Sequence, residues 1–187
     1  MKKFIISIFA MFLLSGCVTL NTQYQGDDSG FAIMSFYIKN HNFAGDYVVI
    51  YENDKGESGR FYYRKDAAWG RSERDFDDAS YNGRVELHQL KAGKYLITKY
   101  EQIQGARTFH YEDFEPYSFE VKKNEATYLG ELTEPVGGSG MLQVKDKFER
   151  DVNIAKQKGL PENIKTEKQL MNESMLKVKG SRYFKVQ

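Results

Sequence analysis

Cys17 is the one cysteine of the 187-residue chain and its strongest nucleophile. It follows Met1-Lys2-Lys3, an apolar run from Phe4 to Leu14 broken only by Ser7, and two small residues, Ser15 and Gly16. A lone thiol in an exported chain has no disulfide partner, and thioether attachment to a lipid would use it. Other chemistry-capable residues are more dispersed. Asp75, Asp77 and Glu86 stand at the first, third and twelfth positions of a calcium-loop spacing, but Ala79 holds the fifth position and Ser80 replaces the glycine that makes the sharp bend. His41, His88 and His110 form no metal-ligand pairing. Gly138-Ser139-Gly140 is a linker and not a nucleophile elbow. Glu112-Asp113 is an ordinary surface carboxylate pair. These residues lead to a non-enzymatic reading, with no metal and no cofactor apart from a covalent lipid on Cys17.

The apolar run is too short for a lasting membrane span. Eleven helical residues cover about 16 Å, against roughly 30 Å of hydrocarbon. It reads as the core of a cleavable leader. The stretch Leu14-Ser15-Gly16-Cys17 resembles the lipobox of bacterial lipoproteins, in which the cysteine is acylated and becomes residue one of the mature chain. In Gram-negative lipoproteins an aspartate after the cysteine favours inner-membrane retention. Val18 stands here, so the resemblance implies the outer membrane, with the domain facing the periplasm. Several acyl chains, at ~0.8 kcal/mol per buried methylene, give durable anchoring.

Removing the first 16 of 187 residues leaves 171, enough for one well-packed domain. Loss of Lys2 and Lys3 from the 27 basic residues leaves 25 against 26 acidic ones. That near-neutral balance offers no basic excess for nucleic acid. Thirteen Phe and thirteen Tyr favour strands. The segments divide as a leader over 1–16, a lipidated cysteine and polar tether over 17–30, a β-sandwich over 31–145, and a helical C-terminal appendage and tail over 146–187.

Strands are expected at Phe31–Lys39, Asp46–Glu52, Arg60–Arg64, Val85–Gln89, Tyr95–Ile103, Tyr117–Val121 and Ala126–Leu132, with Met141–Val144 last. Asn53-Asp54-Lys55-Gly56 reads as a hairpin turn. Gly93 is expected to take a positive φ, and Ala126–Leu132 to pair with Tyr117–Val121 through the turn at Lys123-Asn124-Glu125. Residues 66–82 form the longest irregular stretch and hold Trp69. From Asp146 the period changes. Phe148, Val152 and Ala155 share one helical face, Asp146 and Glu149 read as a capping box, and Gly159 and Pro161 stop the helix. Thr166 with Gln169 suggests a second helix to about Asn172. Met175–Gln187 reads as an edge strand or tail.

Two segments, Gly83 through Leu90-Lys91-Ala92-Gly93-Lys94-Tyr95 and Phe119 through Ala126-Thr127-Tyr128-Leu129-Gly130, resemble the turn and strand of prealbumin-like sandwich domains. Such domains occur in Gram-negative lipoproteins and, more distantly, in carboxypeptidase-regulatory-like modules. The resemblance implies a mainly β, antiparallel prealbumin-like sandwich with a short C-terminal helical appendage, and supplies no site residues. The expected role is a membrane-anchored protein-interaction or envelope-assembly module whose partners are the bilayer, through Cys17, and an envelope protein. Tyr62, Tyr63 and Trp69 are its candidate contact residues. The alternative is a ligand-binding module for glycan, peptide or calcium using the 66–82 loop.

Overall fold

The computed structural model describes residues 22–39, 45–65, 74–77, 81–104, 107–111, 116–133, 143–171 and 184–186. In chain order the elements are β1 (Ser29–Lys39), β2 (Gly45–Asn53), β3 (Ser58–Lys65), β4 (Phe76–Asp77), β5 (Tyr81–Lys91) and β6 (Gly93–Gln104). They continue as β7 (Arg107–Tyr111), β8 (Tyr117–Val121), β9 (Glu125–Thr133), β10 (Gln143–Lys145), α1 (Phe148–Gln157), β11 (Lys165–Lys168) and β12 (Phe184–Val186). The chain is mainly β, in two sheets. The first has the order β10-β9-β1-β5-β4, with β11 also on β9. The second has the order β12-β7-β6-β2-β3, with β8 also on β6.

β1 explains the layering. Its even residues Ala32, Met34, Phe36 and Ile38 enter a core shared with Tyr47, Val49, Tyr51, Phe61, Tyr63, Tyr95 and Phe119 of the second sheet. Ile33, on its other face, packs with Val85, Ala126 and Tyr128 against Ala155 and Leu160, in and just after α1. A strand buried on both faces reads as an almost continuous apolar run, as Phe31–Ile38 does. Tyr51 sits centrally in the aromatic core, edge-on to Tyr95 and Phe119 at 5.9 Å each and 5.0 Å from Phe61. Each such ring contributes about 1.5–3 kcal/mol by burial.

The first sheet is mixed and not wholly antiparallel, because β9 runs parallel to both β1 and β11. The expected β8–β9 hairpin is absent as well. β8 pairs with β6 in one sheet and β9 with β1 in the other, so the turn at Asn124, with φ 55°, carries the chain across the sandwich. After that crossing β9 starts from the same end as β1, and the two run side by side. The β5–β6 turn crosses too. Gly93 opens β6 without the expected positive φ. The Tyr95 hydroxyl fixes that corner by donating to the Lys91 carbonyl at 2.7 Å.

The expected hairpin turn at Asn53–Gly56 is present. Gly56 has φ 75°, and the Asn53 side chain accepts from the Lys55 and Glu57 amides. No capping box starts α1. The residue before the helix is Lys147, without a side-chain cap, and Asp146 instead accepts from the Phe148 amide at 3.0 Å. At the other end Gly159, φ 106°, donates to the Lys156 carbonyl, and the Leu160 amide donates to Ala155. These two bonds make a Schellman stop. The expected second helix is strand β11, parallel to β9. The chain then crosses between the sheets. Gln169 and Met171 donate to the Tyr128 and Leu129 carbonyls, Tyr117 donates to Gln169, and Met171 enters the core. Residues 22–29, expected within the tether, are bonded to the sheet: Gln89 donates to Thr22, Tyr24 to Gln89, and Ala92 to Asp28.

Candidate functional site

Gly130 organises a buried polar cluster. Its φ of 105° allows β9 to bulge, so that three residues of β9 span two of β1 between Ile33 and Ser35. In a regular strand Tyr128 and Glu131 would face opposite ways. The bulge turns both toward α1, while Leu129 and Leu132 both enter the core.

Asp151 comes down from α1 to meet them and is fully buried. Its Oδ2 accepts from Ser35 at 2.5 Å and from Tyr128 at 2.8 Å. Its Oδ1 accepts from Arg150 Nε at 2.8 Å and Nη2 at 2.7 Å. Arg150 Nη2 also donates to Glu131, whose other oxygen accepts from Thr133 at 2.6 Å. The Lys147 amide donates to the Tyr128 oxygen, and the Arg150 guanidinium lies 3.7 Å over the Phe76 ring. Burial, with Asp151 beside it, pushes the Tyr128 phenol above its ordinary value. Desolvation pulls the Arg150 guanidinium down, but its bonds to Glu131 and Asp151 more than offset this and raise it. Each carboxyl oxygen of Asp151 and Glu131 thus has a protein donor, and the cluster's work is to seat α1 on the sheet.

A second cluster lies between the sheets on the inward face of β5. Tyr51 Oη and His88 Nδ1 are 2.7 Å apart, and Phe61 stacks on the imidazole at 4.4 Å. Glu86 lies 3.6 Å from His88 Nε2 and pairs with Arg84. Burial, followed by the neighbouring Tyr95 and Glu86, raises the Tyr51 phenol. Asn82 is buried on the same stripe, and its Oδ1 has no hydrogen-bond partner.

The calcium spacing does not close on the described side chains. Asp75 Oδ2 accepts from the Val85 amide and from Lys158 Nζ, both at 2.6 Å, so a protein cation already occupies it. Glu86 faces the opposite side of β5, toward His88. Asp77 is in β4, paired with Asn82. Among the described residues no group of three His, Cys, Asp or Glu is placed to hold a metal ion. Tyr63 is fully buried between Phe36 and Tyr47 and has no surface to offer a partner. Tyr62 faces outward, donates to Asp46 at 2.8 Å and carries Arg60 over its ring. Cys17, His41, Trp69, Glu112, Asp113 and Ser139 lie outside the described residues.

Sequence reading missed the Asp151 cluster, although two signals marked it. Asp151 interrupts the apolar stripe Phe148-Val152-Ala155, and Ser35 interrupts the apolar run of β1. A polar residue on a buried face needs a partner, and these two are each other's.

No family model, curated protein or solved structure matches the chain.

Proposed function

We propose that the protein is a lipid-anchored outer-membrane lipoprotein facing the periplasm, acylated at Cys17. It acts as a non-enzymatic module for protein interaction or envelope assembly. On this reading the domain is a prealbumin-like sandwich with α1 and the strands after it as a C-terminal appendage, and its partners are the bilayer and an envelope protein. The leader and the lipobox-like Leu14-Ser15-Gly16-Cys17 support the anchor.

The observation that carries the interaction reading is the polarity of the strand topology. The β2–β3, β5–β6 and β8–β9 turns share one end of the sandwich, since Asn53 pairs with Tyr95, Gly93 with Val121, and Ser29 with Lys91. Each of these turns is short. Gln23 joins the sheet near this end by pairing in parallel with Gln89, so residues 22–24 run toward the short turns. Connections 40–44, 66–73, 78–80, 105–106 and 134–142 all leave from the opposite strand ends, near Lys39, Lys65, Tyr81, Gln104 and Thr133. A domain whose longer connections, 40–44, 66–73 and 134–142, join strands at the end opposite its short turns suits a partner met at that end.

Site-specific photo-cross-linking in intact cells tests this. A photoreactive residue at Arg64 or Gln143, both exposed on the strand ends opposite the short turns, should give a discrete adduct with an envelope protein. Cys17→Ser should abolish it. A chain that stays in the outer-membrane fraction and gives no adduct from either position would contradict the interaction reading.

A further inference from the structure

We infer that the outer edge of β3 takes up an added strand, and that this strand is an acidic segment of a partner protein. The inference rests on the interaction reading above and deepens it, naming the chemistry of the partner and how it is held.

Backbone pairing exposes the edge. Among the described residues β3 ends its sheet and pairs with β2 alone. The Asn53 amide donates to the Glu57 carbonyl at 3.0 Å. Alternation then turns the N–H and C=O groups of Gly59, Phe61 and Tyr63 toward β2 as well. Those of Ser58, Arg60, Tyr62 and Arg64 point away from it, and among the described residues nothing bonds to them.

Other edges of the sandwich are met by the chain itself. β5 is paired at Asn82 and Gly83 by β4 and at Gln89 by Thr22 and Tyr24. Between them the Val85 amide donates to Asp75 at 2.6 Å, and the Val85 carbonyl accepts from Lys158 at 2.7 Å. On β8 the Glu120 amide donates to the Gln169 side chain at 2.9 Å. A row of unpaired N–H and C=O groups is a template for another strand, and β3 presents one from Ser58 to Arg64.

Side chains on this edge select the strand. Arg60 and Arg64 are exposed and flank Tyr62 on the outer face. Arg60 lies 5.6 Å over the Tyr62 ring and has no carboxylate partner among the described residues. Arg64 is 71% exposed, with Asp46 3.7 Å away. A second copy of β3 would bring two more arginines to the seam, and like charges keep such edges apart. A strand with acids four residues apart meets both arginines and lays its middle residue beside Tyr62. Its intervening side chains turn inward, where Phe61 stacks on His88 and the β5 face carries Glu86 and Asn82. Asn82 Oδ1 is buried there without a hydrogen-bond partner, so hydroxyl side chains suit these positions. The favoured segment reads acid, hydroxyl, apolar, hydroxyl, acid.

The test measures amide hydrogen exchange of the full chain in detergent, with and without millimolar synthetic Thr-Glu-Thr-Val-Thr-Glu-Thr. A control peptide carries Lys in place of Glu. Several-fold slower exchange at Ser58, Arg60, Tyr62 and Arg64 is expected with the acidic peptide and not with the control. Arg60→Glu with Arg64→Glu should invert that preference. Tyr62→Pro removes an outward N–H and leaves the β2–β3 bonds in place, so it should abolish the protection without a large fall in melting temperature. No slowing, or equal slowing by both peptides, overturns the inference. So does protection of the same amides in the free chain that grows with protein concentration, which would mean a second copy holds the edge. Photo-cross-linking in cells reads the interaction separately. An envelope adduct without slowing by the acidic peptide overturns the edge mode alone, and absence of both overturns the interaction reading with it.

Discussion

Ser35 on β1 and Asp151 on α1 are 116 residues apart in sequence and joined by a 2.5 Å hydrogen bond in the interior. The bond and its neighbours fix the helix to the sheet. Asp151→Ala strips Ser35, Tyr128 and Arg150 of their shared acceptor and should cost about 3–5 kcal/mol, the range for breaking a buried ionic contact. Ser35→Ala, which leaves Asp151 its other three donors, should cost about 1–2 kcal/mol. Urea unfolding followed by tyrosine fluorescence measures both. Equal and small losses would mean that the cluster contributes little to seating α1.

Gly130→Ala should destabilise by about 1–3 kcal/mol, because φ 105° is unfavourable for a residue with a Cβ and the new carbon would meet the Val144 side chain at 2.8 Å. If the bulge re-registers instead, Glu131 loses Arg150. A double variant with Arg150→Leu then separates the cases: losses that fail to add place both residues in one unit.

Tyr95→Phe removes the hydroxyl that ties the β5–β6 corner to Lys91 and should cost about 1 kcal/mol. The same phenol predicts an alkaline limit. Burial, and then the carboxylates of Glu57, Asp54 and Asp28, raise it to about 12. A raised phenol holds its proton more tightly in the folded state. Its stabilisation is therefore complete below pH 10 and is lost as pH climbs from 10 toward 12. Melting temperatures across that window should fall less steeply in Tyr95→Phe than in the parent chain.

At the acid end, hydrogen bonds from Lys122 and Lys165 hold the Glu167 carboxyl at about 2, below its ordinary 4.5. Its contribution is present above pH 4.5 and lost as pH falls from there toward 2. Glu167 lies on β11, so acid should loosen the β11–β9 pairing. Amide exchange at β11 should rise over this window in the parent chain and vary less with pH in Glu167→Gln.

Neighbouring tyrosines on β3 should behave oppositely. Tyr63→Ala empties a fully buried site among Phe36 and Tyr47 and should cost about 3–5 kcal/mol. Tyr62→Ala gives up one surface hydrogen bond to Asp46 and should cost under about 1 kcal/mol.

The strands that alternate or run apolar were legible: β1, β2, β3, β5, β6, β8 and β9 lie where side-chain pattern places them, because burial on one or both faces dictates residue type. Strand pairing was not. The Leu90–Tyr95 and Val121–Ala126 turns have local chemistry that suits a hairpin, and only long-range packing sends each across to the other sheet. β11 is Lys-Thr-Glu-Lys, with no apolar period, and is held by β9 backbone and by ion pairs with Glu125 and Lys122. Local propensity there favoured a helix, and tertiary pairing overrode it. The Asp151 cluster depended on the Gly130 bulge, which moves Glu131 to the helix side, and a bulge leaves little trace in an apolar strand beyond its glycine.

The most direct test of the account is the intact mass of the chain recovered from the outer membrane of a Gram-negative host expressing residues 1–187. The account predicts a polypeptide beginning at Cys17 plus the mass of a thioether-linked diacylglycerol and an amide-linked acyl chain, and a shift to the soluble or inner-membrane fraction in Cys17→Ser. A mature chain with an unmodified Cys17, recovered equally with and without the substitution, would contradict it.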